Sequence, residues 1–101
     1  MKNETMKRQP AHPGPLFKRQ VLDRLGMSIT QAADYLGLSR TTLSKFCNGS
    51  TPCTVDIARR IAFAIDSNVG VWINLQANYD AWLAEQSEPP KVTRFPVEPA
   101  A

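Results

Sequence analysis

The sequence predicts an all-α fold, five short helices carrying a helix-turn-helix, and three observations lead there. Apolar residues recur at helical spacing in five segments, each opening on a capping residue or a proline. The second and third segments are joined by only Gly37-Leu38-Ser39. Finally, the stretch from Leu38 to Thr54, LSRTTLSKFCNGSTPCT, holds Arg40 and Lys45 in the middle of an acid-free run extending from Tyr35 through Val55. A surface of that kind suits a polyanion.

Taken in order, residues 1–11 read as a flexible basic arm. Such an arm either reaches a DNA minor groove or is disordered without function. The first helix is expected over about Pro15 to Leu25. Proline is tolerated in its first turn, Leu16, Val21, Leu22 and Leu25 face inward, and Gly26 closes it. Ser28-Ile29-Thr30-Gln31 fits a capping box for the second helix, where Ile29, Ala32, Ala33 and Leu36 recur before Gly37. Ser39 caps the third helix and Asn48-Gly49 ends it. Leu43 and Phe46 then point inward with Leu38 at its start, while Arg40, Thr41, Ser44, Lys45 and Asn48 form the opposite face. Small alanines at the approach of two helices joined by a tight turn, the second helix polar outside, describe a helix-turn-helix whose second helix fits a DNA major groove. The plainer alternative is an αα-hairpin in a small bundle.

Thr54 caps a fourth helix with a stripe of Val55, Ala58, Ile61, Ala62 and Ile65, and Asp56 suits the positive end of its dipole. Phe63 falls on the side shared with Asp56, Arg59 and Arg60, so another element covers it or it makes a protein contact. Asn68 caps the last helix, about Val69 to Glu85, whose stripe of Val71, Trp72, Leu75, Tyr79, Trp82 and Leu83 exceeds what a small core needs. Phe63, Trp72, Leu75, Tyr79 and Trp82 are therefore the expected dimer or partner interface. Residues 12–86 thus make the helix-turn-helix domain with a C-terminal dimerisation helix. Residues 87–101 make a Pro-rich extended tail, in which Val92 to Phe95 could add an edge strand to a partner sheet.

The 101 residues suffice for one domain with a modest core. The net charge of +3 is unevenly placed: residues 1–27 carry six basic and two acidic side chains, whereas residues 55–101 carry four and six. That asymmetry favours a nucleic-acid partner weakly. No apolar run is long enough to span a bilayer and the N-terminus lacks a signal-peptide core, so the expectation is a cytoplasmic protein without a membrane partner. One histidine and two cysteines six positions apart make no metal site, with Cys47 read as a small core residue and Cys53 as a loop residue. With no nucleophile motif, phosphate loop or carboxylate cluster, neither a catalytic residue nor a cofactor is expected.

Several pieces taken together resemble the HigA antitoxins, a branch of the phage-repressor-like (lambda repressor-like, XRE) helix-turn-helix proteins. They are His12-Pro13-Gly14, Leu25-Gly26-Met27-Ser28, the run from Ala32 to Arg40, Leu43-Ser44, Asn48-Gly49, Ala58-Arg59-Arg60-Ile61-Ala62, Trp72-Ile73-Asn74-Leu75-Gln76 and Tyr79-Asp80. The helix-turn-helix portion is shared by many regulators, whereas the opening HPG and the late WINLQxxYD are far more specific. The chain departs from the pattern at Pro15, where the family usually has Glu, at Asp66, where a Gly commonly ends the fourth helix, and at Gly70.

The resemblance implies a homodimer of five-helix domains that binds double-stranded DNA at a palindromic operator in its own promoter. It also implies neutralisation of a RelE-like toxin, a ribosome-dependent mRNA endonuclease. On matching positions, Arg40, Thr41, Ser44 and Lys45 would face base edges, with Arg40 or Lys45 suited to guanine and Thr41 to a thymine methyl. Thr30, Gln31, Ser39, Thr42 and Asn48 would contact phosphates. Against this stand simpler roles: Thr42 facing the preceding helix, Ser39 and Gln31 only capping. Two other functions remain alongside, a stand-alone XRE-family transcriptional regulator and a protein-interaction module that has lost DNA binding.

Overall fold

His12 begins the first helix. Its backbone is extended and its Nδ1 accepts the Gly14 N–H at 2.9 Å, so the side chain satisfies an amide that helix geometry leaves without a partner. In the computed structural model, which describes residues 8–97, this helix opens a bundle of five helices, and no strand occurs among the described residues. Helix α1 spans residues 13–25 as one rod, with α-helical Pro13–Phe17, a π-helical stretch Lys18–Leu22 and a last turn Asp23–Leu25. It is followed by α2 (Ile29–Leu36), α3 (Arg40–Cys47), α4 (Val55–Ile65) and α5 (Val69–Gln86).

Helix α1 starts two residues before the expected Pro15, on the His12 cap, whereas the caps of the later helices are those the sequence announces. Ser28 and Gln31 form a reciprocal capping box on α2, Thr54 accepts the Ile57 N–H on α4, and Asn68 accepts the Val71 N–H on α5. Gly26 and Gly37 take the left-handed conformation that ends α1 and α2. At Asp66 a non-glycine residue adopts that conformation, φ 57°, to close α4. A glycine there would avoid the Cβ penalty.

The π-helical stretch changes which residues α1 buries. A π turn holds an extra residue, so everything after it is rotated relative to an unbroken α-helix. Lys18 and Asp23 bridge that turn at 2.6 Å, and the Asp23 N–H donates to the Lys18 carbonyl. Phe17 and Leu22 enter the core, Leu16 and Val21 are half-buried, and Leu25, expected inside, is 65 % exposed. A smaller correction applies in α4, where Ile57 rather than Val55 reaches the core. Val55 stands in the first turn, where its side chain leans past the end of the helix.

Phe17, Leu22, Ala32, Ala33, Leu36, Leu43, Phe46, Ile57, Ala58, Ile61 and Trp72 form one continuous core. Phe17 packs edge-on to Trp72 at 5.8 Å between ring centres and lies tilted against Phe46 at 6.2 Å. Gln76 on α5 is the one buried polar residue among the described residues: its Oε1 accepts the Cys53 N–H at 2.7 Å and its Nε2 donates to Asp80 at 2.9 Å. It thereby satisfies a loop amide shielded from water. Beyond Gln86 the tail to Val97 is exposed and forms no strand. Residues 1–7 of the expected arm and 98–101 of the expected tail lie outside the described residues.

Gly14 sits where α1 meets the last turn of α3. A Cβ there would lie 1.7 Å from the Phe46 carbonyl oxygen, so Gly14→Ala must push two backbones apart. The expected cost is about 2–3 kcal/mol or more in urea unfolding, and a loss below about 0.5 kcal/mol would contradict this packing. A second expectation concerns pH. Burial pushes the His12 pKa below its ordinary 6.5, opposed by the Thr51 backbone and the Asp80 carboxylate. Because the unfolded chain then binds that proton more readily, the associated stability is present above pH 6.5 and lost as pH falls below it. His12→Asn keeps a capping oxygen without titrating, so between about pH 7.5 and about pH 5.5 the wild-type Tm should fall further than the variant's. Equal falls would remove His12 as the cause.

Candidate nucleic-acid interface

The exposed face of α3 follows from what its other face must do. Leu43 and Phe46 have no exposed surface and Cys47 is buried, which fixes the rotation of the helix about its axis. Arg40, Thr41 and Lys45 are consequently turned to solvent, with Ser44 half-buried beside them. No acidic side chain occurs in the sequence from Tyr35 to Val55, and the carboxylate beside Lys45, that of Asp56 across a shallow hollow lined by Thr42 and Lys45, is paired with Arg60. The helix N-terminus adds its own positive potential at the Arg40 end.

The remaining residues expected at this face are placed as follows. Ser39 caps α3, accepting the Thr42 N–H at 3.0 Å and donating its hydroxyl to Thr42 Oγ1 at 2.8 Å, so these two side chains serve each other first. Gln31 closes the capping box, its Oε1 accepting the Ser28 N–H at 2.9 Å while the side chain remains exposed. Thr30 accepts a hydrogen bond from Arg40 Nε at 3.1 Å, joining the start of α2 to the start of α3. Asn48 ends α3, where its Oδ1 accepts from the Ser50 backbone N–H at 3.0 Å and the Ser50 hydroxyl at 2.6 Å. Thr30, Gln31, Ser39, Arg40, Thr41, Thr42, Ser44, Lys45 and Asn48 all lie at least partly exposed on α2, α3 and the turns at either end of α3.

The expected partner surface is less uniform. Trp72 does not belong to it: at 6 % exposure it packs on Phe17 and donates its indole N–H to Ser67 Oγ at 2.9 Å. The small domain needs this ring to close its core, which is why the residue is withdrawn from the surface. Leu75, Tyr79 and Trp82 are half-buried, Tyr79 lying edge-on to His12 at 5.0 Å. Phe63 is 78 % exposed, with the Arg59 guanidinium 5.8 Å from its ring centre, so among the described residues neither α5 nor the chain before α1 covers it.

Two residues escaped the sequence reading. Arg60 looked like one more outer cation of α4, yet it is bound to the turn between α2 and α3. The signal was its i, i+4 spacing from Asp56. His12 was recognised only as part of a motif, not as a cap. Cys47 and Cys53 are free and buried, Cys53 more deeply than a loop position suggests, and burial pushes both thiols up to about 11, which disfavours the thiolate. No cluster of metal-ligating side chains and no helix long and apolar enough to cross a membrane occurs among the described residues.

Residues 18–69 match the helix-turn-helix family. The chain is similar to the uncharacterized HTH-type transcriptional regulator YbaQ of Escherichia coli K12, at 33 % identity over 79 % of this chain and 71 % of that one. It is also similar to antitoxin HigA-1 of Vibrio cholerae, at 30 % identity over 75 % of this chain and 71 % of that one. Among solved structures, the antitoxin HigA of Pseudomonas aeruginosa with the higBA promoter superposes with a TM-score of 0.75. That match has 26 % identity and covers 77 % of this chain and 85 % of that one.

Proposed function

The chain belongs to the helix-turn-helix family and, within it, to the HigA-type antitoxins, and from that premise we propose that it is a dimeric repressor of its own operon that also neutralises a RelE-like endonuclease toxin. The observation that carries the DNA-binding part is the exposed face of α3, which carries no acidic side chain of its own and is oriented by the burial of Leu43 and Phe46 on the other side. A helix of this width fits the major groove. Arg40 and Lys45 there present donors to guanine O6 and N7, and Thr41 offers a methyl to thymine. Its relative HigA from Pseudomonas aeruginosa was solved with promoter DNA, which supports the same use of the face.

Within this reading residues 12–86 are the binding domain, α5 serves dimerisation and the residues from Ser87 to Val97 form an extended tail. Dimerisation would use what α5 leaves outside its own core: the half-buried Leu75, Tyr79 and Trp82 and the exposed Val71 and Leu83. The indole N–H of Trp82 is shielded from solvent without a hydrogen-bond partner among the described residues. Phe63 and Arg59 suit a separate protein contact, since an exposed aromatic backed by a guanidinium is the sort of anchor protein interfaces favour. A toxin is the partner this reading assigns to it. A two-fold dimer matches a palindromic operator, each α3 reading one half-site.

Arg40→Ala and Lys45→Ala should each weaken operator binding by about 1–3 kcal/mol at matched salt while the circular dichroism and Tm stay close to wild type. Unchanged affinity in both variants would remove α3 from the interface. Light scattering at micromolar concentration should give twice the mass of one chain, and a monomer would count against the dimer.

A further inference from the structure

The turn between α2 and α3 has a weakness common to all tight helix connections: the last carbonyls of α2 have no partner within their own helix. Two of them are satisfied from outside. Arg60, on α4 and more than twenty residues further along, donates from Nη1 to the Leu36 carbonyl at 2.9 Å and to the Gly37 carbonyl at 3.1 Å. Its Nε donates to Asp56 Oδ2 at 2.9 Å, one helical turn earlier. The same Nη1 would lie 2.9 Å from a Cβ at position 37, so the guanidinium is seated directly on the left-handed glycine that redirects the chain into α3.

We infer that the Asp56–Arg60 pair is a positioning device for the helix-turn-helix: it holds the turn from outside and so sets the angle at which α3 leaves α2. This inference rests on the DNA-binding reading of α3 given above. A planar guanidinium suits the task because its N–H groups diverge in fixed directions: one edge is held by a carboxylate while the other reaches two carbonyls. A cation at the C-terminus of α2 also faces the negative end of that helix. Asp56 orients Arg60; neither side chain needs to touch DNA. The arrangement explains why Arg60 is drawn inward while Arg59, its neighbour in sequence, lies against the exposed ring of Phe63.

The alternative role for Arg60 is plain electrostatics, a cation near a phosphate, and the two roles predict opposite signs for one substitution. If Arg60 acts by positioning, Asp56→Asn loosens it and weakens binding to the protein's own upstream duplex. If Arg60 acts as a free charge, removing the Asp56 carboxylate tightens binding. The experiment titrates wild type, Asp56→Asn, Arg60→Lys and Arg60→Met onto the upstream duplex and a scrambled one, at two salt concentrations, with Tm recorded for each. The expected result is a loss of about tenfold for Arg60→Met on the upstream duplex, comparable to one hydrogen bond to a charged group. Arg60→Lys, which keeps charge but loses the fork, should lose nearly as much, Asp56→Asn should lose less, and the salt slope should stay at its wild-type value in all three. Rescue by Arg60→Lys, tighter binding by Asp56→Asn, or a loss shared equally by the scrambled duplex would overturn the inference. If wild type itself fails to prefer the upstream duplex, the DNA-binding reading has failed instead. Should Arg60→Met unfold, Asp56→Asn and Arg60→Lys still decide the matter.

Discussion

Two short helices can present a fixed surface only if the second does not roll about its own axis, and the burial of Leu43 and Phe46 is the constraint that opposes such a roll. Both side chains are withdrawn completely from solvent. A rotation of α3 large enough to expose either of them fully costs about 1.5–3 kcal/mol for a large apolar side chain. Ala32 and Ala33 let α2 approach closely, and Gly14 admits α1 against the Phe46 carbonyl. The polar face of α3 is therefore a consequence of its apolar face: once Leu43, Phe46 and Cys47 are committed inward, Arg40, Thr41 and Lys45 have one direction left.

Around that pair the other helices act as a frame. α1 contributes Phe17 and Leu22 from below, α4 brings Ile57, Ala58 and Ile61, and α5 closes the bundle with Trp72. The polar interactions inside the frame fall at its joints. Gln76 satisfies the amide of Cys53 in the loop after α3, while Arg60 satisfies carbonyls in the turn before it. Both ends of the α3 segment are thus tied to later helices, which is where a short helix would otherwise fray.

Helix existence, caps and the inward face of the helix-turn-helix were legible because they depend on local spacing. Ser28 with Gln31, Ser39, Thr54 and Asn68 cap as their positions announce. What was not legible depends on geometry that spacing alone does not encode. The π turn in α1 shifts the register of the residues after it, so that Leu25 turns outward, and a period of 3.6 cannot reveal it. Trp72 looked like surplus apolar surface along a single helix, yet the position opposite Phe17 needs a large ring. The Asp56–Arg60 spacing was visible, but its target carbonyls belong to a turn more than twenty residues earlier. At the candidate interface, residue types and exposure could be read, whereas the internal pairing of Ser39 with Thr42 and of Arg40 with Thr30 required coordinates.

The central claim is that the exposed face of α3 recognises a particular DNA sequence upstream of its own gene. It is tested most directly by titrating the wild-type protein onto that upstream fragment and a scrambled duplex of equal length, at about 50 and about 200 mM salt. The account predicts tighter binding to the upstream fragment at both concentrations, with affinity falling steeply as salt rises because phosphate contacts release counterions. Equal, weak binding to the two duplexes would contradict it, leaving a basic face that attracts DNA without reading it.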